Sequence, residues 1–311
     1  MELIFSVINE TVNKSAIKDF NNFLKPYSNV TKWYVCSDYC FDDPKKSNDV
    51  ITFVIYPHDM DILQKQSYIQ RLQKCDLKKT QIINPDFCLL MHLGCFFSFN
   101  FIPTKDNYFS RWKNKNIQIQ IVDKYIEMLE RWKETTPQNA KLYTEYASRL
   151  RKFKSKMNKK SFNCKLMARI LMVTFLAGYI KYLLIQSHQN VQLYSWLSDR
   201  DAITEWEDGV CEIFYHITSH CMCDKYITDK AIEKNMKEVY VTNKASEQFY
   251  DQINRVADYI CGTLADYNYV DNIVSSEKQL KLIESAIADN EYIIIICLDS
   301  SDVKRINTYK V

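Results

Sequence analysis

The sequence predicts an α/β fold, a mixed sheet flanked by helices, and three observations predict it. Glycine and proline are scarce, with 4 and 6 residues among 311, which argues against a turn-rich all-β barrel. Hydrophobic residues make up 47% and charged residues 25%, a balance typical of a folded globular protein. Strand patterns and helical patterns also alternate along the chain, as α/β or α+β proteins require. We expect a single domain over residues 1–311.

The N-terminal third supplies the first strands. Residues 50–56 are rich in β-branched and aromatic side chains, which favours a buried strand that forms a hairpin with the strand before it. Pro26 ends the first helix, because a proline disfavours helix in the residue before it. In chain order, we expect a short apolar segment near 3–8, a helix over 14–24, strands over 31–38 and 50–56, a helix over 61–75 and a strand over 95–101.

A basic helical insertion over 105–186 interrupts the α/β pattern, with helices expected over 117–132, 139–157 and 164–186. From Lys105 to Arg169 there are 17 Lys and Arg against 6 Asp and Glu, whereas the rest of the chain carries 24 basic and 32 acidic residues. This asymmetry indicates a basic face beside an acidic site. A helical arm with solvated lysines accounts for the same charges without any partner.

The densest positive charge lies in residues 149–160, where seven of twelve residues are basic. Such a run is suited to binding the phosphates of a nucleic-acid backbone through electrostatic attraction that weakens with salt. It contains no sequence signature for reading bases. The candidate nucleic-acid-binding residues are Arg149, Arg151, Lys152, Lys154, Lys156, Lys159 and Lys160.

The C-terminal part returns to alternating elements. We expect a strand over 191–198, a helix over 203–222, a strand over 237–242, helices over 246–267 and 277–289, and a strand over 292–298.

The remaining composition indicates a cytoplasmic protein without a membrane segment. Eleven cysteines lack regular spacing, so reduced thiols fit better than a disulfide scaffold. The N-terminus lacks the basic and apolar regions of a signal peptide. The apolar stretch 166–185 contains Arg169 and Lys181, and its charge-free run of 11 residues is far below the ~20 that a span requires. We therefore expect a buried helix there.

Aspartates follow two predicted strands and one lies on a later helix. Asp38 ends the strand Trp33-Tyr34-Val35-Cys36-Ser37-Asp38, and Asp199 and Asp201 follow the strand 191–198. Asp258 lies on the helix 246–267. Phosphodiester hydrolysis at a two-metal site needs several converging carboxylates, whose oxygens suit Mg²⁺ or Mn²⁺. The candidate catalytic residues are therefore Asp38, Asp199, Asp201 and Asp258, with Asp38, Asp199 and Asp258 as metal ligands.

These stretches resemble the RNase H-like (retroviral integrase) superfamily, and most of all a bacterial branch of it, a domain-of-unknown-function family. Members of that branch open with a strand ending in Asp-Glu-Ser-Gly, carry a second Asp after a middle strand, and end with a helix reading roughly Gln-x-Ala-Asp-x-x-Ala-Gly. The matching stretches here are Val35-Cys36-Ser37-Asp38, Trp196-Leu197-Ser198-Asp199 and Ala257-Asp258-Tyr259-Ile260-Cys261-Gly262. The resemblance implies an RNase H-like sheet with a metal-dependent nuclease site, and the insertion 105–186 lies outside it.

The departures from that pattern leave two functions open. Tyr39, Cys40 and Phe41 stand where the family has Glu, Ser and Gly, and Arg255 stands where it often has Gln. One hypothesis is a nuclease that uses Mg²⁺ or Mn²⁺ on DNA or RNA, a role compatible with a toxin or phage-defence effector that has a partner protein. The alternative is an inactive RNase H-like scaffold that binds a protein or nucleic-acid partner through its basic insertion.

Some of the same residues have structural explanations. Asp201 is placed to cap the helix that starts near Ile203. Asp258 falls on the helix face opposite the apolar stripe, where it either faces the site or simply faces solvent. Glu212, His216 and His220 share one helix face, and we interpret them as a polar face rather than a zinc site, because further ligands are missing.

Overall fold

The computed structural model describes residues 2–198, 201–229, 236–240 and 250–310. The chain divides into two compact units. Unit 1 comprises residues 1–107, 183–199 and 229–311, and unit 2 comprises residues 108–182 and 200–228. Unit 2 therefore joins most of the segment expected as a helical insertion to a helix that lies later in the sequence.

Helices and strands alternate as the α/β prediction requires. The helices are α1 (Glu2–Ser15), α2 (Ile17–Leu24), α3 (Ile62–Leu72), α4 (Pro85–Leu90), α5 (Lys115–Thr135), α6 (Ala140–Met157), α7 (Cys164–Ser187), α8 (Ala202–Tyr226), α9 (Asp251–Asp266) and α10 (Glu277–Leu282). The strands are β1 (Lys32–Cys40), β2 (Val50–Pro57), β3 (Phe97–Pro103), β4 (Leu193–Ser198), β5 (Lys237–Tyr240), β6 (Ile293–Leu298) and β7 (Val303–Ile306).

The sheet belongs to unit 1 and is mixed. Among the residues described, seven strands pair in the order β5-β4-β1-β2-β3-β6-β7. The strands β1, β2 and β3 form an antiparallel meander, which confirms the expected hairpin. Beyond β1, β4 runs parallel to it and β5 runs parallel to β4. At the other side β6 is parallel to β3 and β7 is antiparallel to β6.

Both faces of this sheet are covered by helices of unit 1. On one face, alternate side chains of β1 and β2 such as Cys36 and Val54 pack in one apolar cluster with α9 residues such as Ile260. On the other face, Phe20 of α2 contacts Phe97 of β3, with ring centroids 5.1 Å apart. Because side chains alternate across a strand, odd and even residues of β1 face different helices.

Three local features go beyond or differ from the expectations. The apolar segment near residues 3–8 is part of α1, whose buried residues recur at helical spacing. Strand β7 was not expected, and its burial is confined to one end. Strand β1 continues to Cys40, so that Asp38 lies inside the strand rather than at its end.

Unit 2 is helical. The segments α5 and α6 pack against each other, and α6 also packs against α8. Asp201 caps α8: its Oδ1 accepts hydrogen bonds from Ile203 N at 2.8 Å and from Thr204 N at 3.1 Å. Thr204 completes a capping box through a hydrogen bond between its side chain and the backbone of Asp201.

Helix α7 is long and apolar enough to cross a membrane by length and composition alone. Its most apolar 18-residue window is 94% buried, which is how the core helix of a folded protein behaves. All eleven cysteines fall within the described ranges and are free thiols.

Candidate metal centre

The serines of the two Ser-Asp motifs lie opposite each other on neighbouring parallel strands. In the register of β1 and β4, Cys36 is opposite Leu197 and Ser37 is opposite Ser198. Each serine is followed in sequence by an aspartate, Asp38 in β1 and Asp199 after β4. Asp199 itself lies outside the described residues, so the register aligns only the serines that precede the two aspartates.

The serine hydroxyls hold the two strands together on the face away from α9. The Tyr39 hydroxyl is 2.6 Å from Ser37 Oγ and 2.9 Å from Ser198 Oγ. Trp196 Nε1 donates to Ser37 Oγ at 2.9 Å. This network links β1 to β4 through side chains as well as through the backbone pairing.

Asp38 is half-buried on the opposite face, the one covered by α9. It shares the parity of Tyr34 and Cys36, which lie in the α9 cluster. Its cross-strand partner is Thr52, whose hydroxyl donates to Asn100 Oδ1 at 2.8 Å. Asp38 therefore lies at the outer end of a polar row that crosses three strands, on the face that α9 covers.

Helix α9 is anchored at both ends to the strands that carry the motifs. At its start, the Tyr250 hydroxyl donates to the carbonyl of Ser198 at 3.1 Å. At its end, Asn48 in the β1–β2 loop donates through Nδ2 to the carbonyls of Leu264 at 2.9 Å and Tyr267 at 2.7 Å. The helix therefore runs from the end of β4, across β1, to the start of β2.

A buried ion pair strengthens the second anchor. Lys46 Nζ lies 2.8 Å from Asp266 Oδ1, and Ser275 donates to the same carboxylate through its backbone and side chain, both at 2.7 Å. Burial alone would raise the pKa of Asp266, but these hydrogen bonds outweigh it and hold the pKa below its usual value. The end of α9 is thus fixed by charge as well as by capping.

The buried thiol of Cys261 on α9 is influenced by two of the candidate carboxylates, those of Asp38 and Asp258. Its Sγ donates to the carbonyl of Val50 at 3.8 Å. Burial raises the pKa of this thiol well above its usual range, and the carboxylate of Asp38, then Cys40 and the carboxylate of Asp258, raise it further. Two carboxylates therefore act on one buried thiol, and the thiol stays protonated, so it offers no thiolate to a soft metal.

The half-buried Asp258 side chain faces a backbone loop that contains Leu77. Its Oδ2 accepts a hydrogen bond from the backbone N–H of Leu77 at 2.7 Å, at the start of a 3₁₀ turn over Leu77–Lys79. Gly262, one turn further on, faces the same loop, since a Cβ there would come within 2.6 Å of Leu77 Cδ2. The small residue of the third motif thus allows the Leu77 loop, rather than the sheet, to approach the helix.

The candidate aspartates therefore have different surroundings. The carboxylates of Asp38 and Asp258, both in unit 1, each raise the pKa of the Cys261 thiol, whereas Asp201 is the N-cap of α8 in unit 2. No group of three or more His, Cys, Asp or Glu side chains suited to a metal ion occurs in the part of the chain described, a part that excludes Asp199. Of the four candidate aspartates, Asp38 and Asp258 are the two described in unit 1.

Asn254 is a further candidate ligand, although no hydrogen bond joins its side chain to Asp38 or Asp258 in the part of the chain described. Asn254, one turn before Asp258 on α9, is only 6% exposed, and its Oδ1 is buried without a hydrogen-bond partner. Two carboxylates and an amide oxygen are the ligand type that Mg²⁺ and Mn²⁺ prefer. Sequence reasoning missed Asn254, although a polar residue on the sheet-facing side of an apolar helix was a usable signal.

The basic run of unit 2 is largely paired within its own unit. Arg151 NH2 lies 2.5 Å from Glu130, Lys154 pairs with Asp123, and Lys156 pairs with Glu207. Arg149 NH2 donates to the carbonyl of Asp208 at 2.5 Å. By contrast, Lys152, Lys159 and Lys160 are exposed and form no ion pair with any residue that the structure describes.

Two of those pairs hold a strained turn in α8. Glu207 and Asp208 have φ of 49° and 59°, in the left-handed region, and Gly209 follows at 73°. Such residues cost about 1–2 kcal/mol each when they are not glycine. The turn is held by Lys156 on Glu207, by Arg149 on the Asp208 carbonyl, and by the packing of Phe153 on Trp206.

The histidine face on α8 is a polar face, as expected. The Tyr146 hydroxyl donates to Glu212 Oε1 at 3.0 Å, and His216 Nε2 lies 4.0 Å from the same oxygen. The His220 ring packs edge-on against Trp132, with centroids 4.6 Å apart. Burial, and then Glu212, raise the pKa of Tyr146 above its usual value.

Comparison of the chain with known proteins gave no match among protein-family models, curated proteins or solved structures.

Proposed function

We propose that the protein is a metal-dependent nuclease of RNase H-like fold that hydrolyses phosphodiesters at the β1–β4–α9 site. Asp38, Asp258 and the sequence neighbour Asp199 would hold Mg²⁺ or Mn²⁺. Bound divalent metal activates water and stabilises the leaving oxygen of a phosphodiester. A cytoplasmic toxin or phage-defence role is compatible with such an activity.

The observation that carries this proposal is the register of β1 and β4. It aligns Ser37 with Ser198, and an aspartate follows each serine in the sequence. Two further observations support the proposal: the Tyr250 hydroxyl at the start of α9 donates to the Ser198 carbonyl, and the carboxylates of Asp38 and Asp258 both raise the pKa of the buried Cys261 thiol. The antiparallel meander with two parallel strands added beside β1 is also compatible with an RNase H-like sheet.

The missing glutamate after Asp38 does not weaken the proposal in this strand geometry. Tyr39 occupies that position, and its hydroxyl bonds Ser37 and Ser198 on the face away from α9. A carboxylate at residue 39 of an extended strand would point to the same face, away from Asp38. The substitution therefore changes how the strands are held together and removes no ligand from the α9 side.

The Leu77 backbone orients the proposed metal ligand Asp258. The Leu77 N–H holds one oxygen of Asp258, which fixes the direction of the carboxylate in the way that outer-shell hydrogen bonds orient metal ligands. The carboxylate that this bond orients has the hard oxygens that Mg²⁺ and Mn²⁺ prefer.

A second candidate function is a scaffold without catalysis that binds a partner through unit 2. The observation that favours it is the group of exposed basic residues on α6 and just beyond its end, Lys152, Lys159 and Lys160. Binding of this kind needs neither Asp38 nor Asp258, so the two functions separate under mutation.

Cleavage of labelled single-stranded and double-stranded DNA and RNA with Mn²⁺ or Mg²⁺ tests the proposal. We expect wild type to cut, and Asp38→Asn and Asp258→Asn to lose at least about 100-fold of the rate, because each removes a charge that holds the metal. Both substitutions keep an acceptor oxygen, so that the amide introduced by Asp258→Asn can still accept from the Leu77 N–H.

The matched control is Asp86→Asn, an exposed aspartate in the first turn of α4. It should cut at the wild-type rate. Wild-type protein that fails to cut every substrate with either metal, or site variants that cut as well as the control, would leave the scaffold function in its place.

A further inference from the structure

An unpaired amide lies buried in the helix that crosses the strand ends. Asn254 is 6% exposed, and its Oδ1 has no hydrogen-bond partner among the residues that the structure describes. A buried polar group without a partner costs folding free energy, so such groups persist where something else uses them. The neighbours of this residue on α9 indicate what that use is.

The helical phase places Asn254 on the side of α9 that faces the site. At about 100° per residue, its side chain emerges about 20° from that of Cys261 and about 40° from that of Asp258. Cys261 contacts Val50 at the start of β2, two residues before Thr52, which is the cross-strand partner of Asp38. Tyr250, one turn before Asn254, contacts the end of β4. Asn254 is thus on the stretch of helix between β4 and β2, where α9 crosses β1.

We propose that the carboxamide oxygen of Asn254 is a neutral ligand of the divalent cation held by Asp38 and Asp258. This inference rests on the proposed function, whose metal site it completes. A neutral oxygen adds a ligand for a hard cation without adding a third negative charge to a buried site. The same bond satisfies the amide oxygen that otherwise has no partner.

The helix offers a matched control for this proposal. Gln252 also has a buried side-chain oxygen, Oε1, without a hydrogen-bond partner. It lies two residues earlier, about 160° away around the same helix, and so faces away from Asp38. Asn254→Leu and Gln252→Leu therefore remove the same kind of group from opposite sides of α9.

The experiment is a Mn²⁺ titration of the full chain, followed by the electron paramagnetic resonance signal of free Mn²⁺ and by the melting temperature. We expect Asn254→Leu to weaken Mn²⁺ binding by about tenfold or more, the loss seen when even an outer-shell partner is removed. Its metal-free melting temperature should stay equal to or rise above that of wild type, because the unpaired oxygen is gone. Gln252→Leu should bind Mn²⁺ as wild type does.

The substitution Asn254→Asp gives an independent reading, since it keeps the oxygen and adds charge. It should bind Mn²⁺ at least as tightly as wild type, and a loss of binding here would count against the proposal. Unchanged Mn²⁺ affinity in Asn254→Leu, with binding abolished in Asp38→Asn, would overturn the role of Asn254 and leave the metal site standing. Wild type that binds no Mn²⁺ would overturn both.

Discussion

The aspartates around α9 in unit 1 and the basic run on α6 in unit 2 are the two charge patterns that stand out in the sequence, and they are used differently. Four of the seven basic residues, Arg149 among them, contact acidic side chains or carbonyls of their own unit. On α9, by contrast, the Asn254 amide oxygen is buried without a hydrogen-bond partner among the described residues, and the Asp258 carboxylate is half-buried. The density of charged residues along a sequence therefore does not show how many of those side chains are available to bind a ligand.

The largest effect on stability is expected where α9 is anchored. Asp266→Asn should lower the free energy of unfolding by about 2–3 kcal/mol near pH 7, because it removes the charge that Lys46 and Ser275 stabilise. The pKa of Asp266 is lowered from 3.8 in the fold, so this stabilisation is present above pH 3.8 and is lost as the pH falls through the folded-state pKa.

Chemical denaturation of Asp266→Asn and wild type at several pH values measures this difference. Asp86→Asn is again the control, since Asp86 is exposed. A stability gap that persists unchanged below the folded-state pKa would show that the charge of Asp266 is not its source.

The difference between paired and exposed basic side chains can be tested on residues 149–160. We expect replacement of Lys152, Lys159 and Lys160 by Gln to weaken binding of a labelled oligonucleotide. The slope of log affinity against log salt should fall by up to about 2–3, at roughly 0.7–0.9 for each phosphate that is no longer neutralised. Replacement of Arg151, Lys154 and Lys156 by Gln should change that slope less, because these side chains are already paired.

Fluorescence anisotropy over a range of salt concentrations measures both triple variants beside wild type. If the paired set lowers the slope as much as the exposed set, the ion pairs open freely for nucleic acid, and the contrast between the two units disappears.

The smallest effect concerns the strained turn of α8. Asp208→Gly should raise the free energy of unfolding by about 1 kcal/mol, because glycine adopts a φ near 59° without the steric penalty. Glu207→Gly should gain less, since it also removes the ion pair with Lys156. Urea denaturation of the two variants tests this order, and an Asp208→Gly protein less stable than wild type would contradict it.

Periodicity and strand composition predicted most of the fold. The expected helix over 139–157 is α6, which begins one residue later, and the expected hairpin is the β1–β2 pair. Residues 3–8 looked like a short apolar segment because their apolar run is dense, whereas their burial follows a helical period. Strand β7 is only four residues long, too short for an alternating pattern to identify it.

The site was predictable only in part, because its geometry depends on contacts distant in sequence. The sequence shows that Ser37 and Ser198 precede aspartates, but not that parallel register aligns them. It shows Asp258 opposite an apolar stripe, but not that Leu77 donates to it. The pairing of the basic run with Glu130 was equally invisible, since α5 and α6 meet only in the folded chain.

Diffraction from crystals soaked in Mn²⁺, measured for anomalous scattering, tests the central claim most directly. We expect an anomalous peak at about 2.0–2.2 Å from oxygens of Asp38, Asp258 and Asn254, where α9 crosses β1. No peak at that position in crystals that show Mn²⁺ elsewhere, or with no Mn²⁺ bound at all, would contradict it.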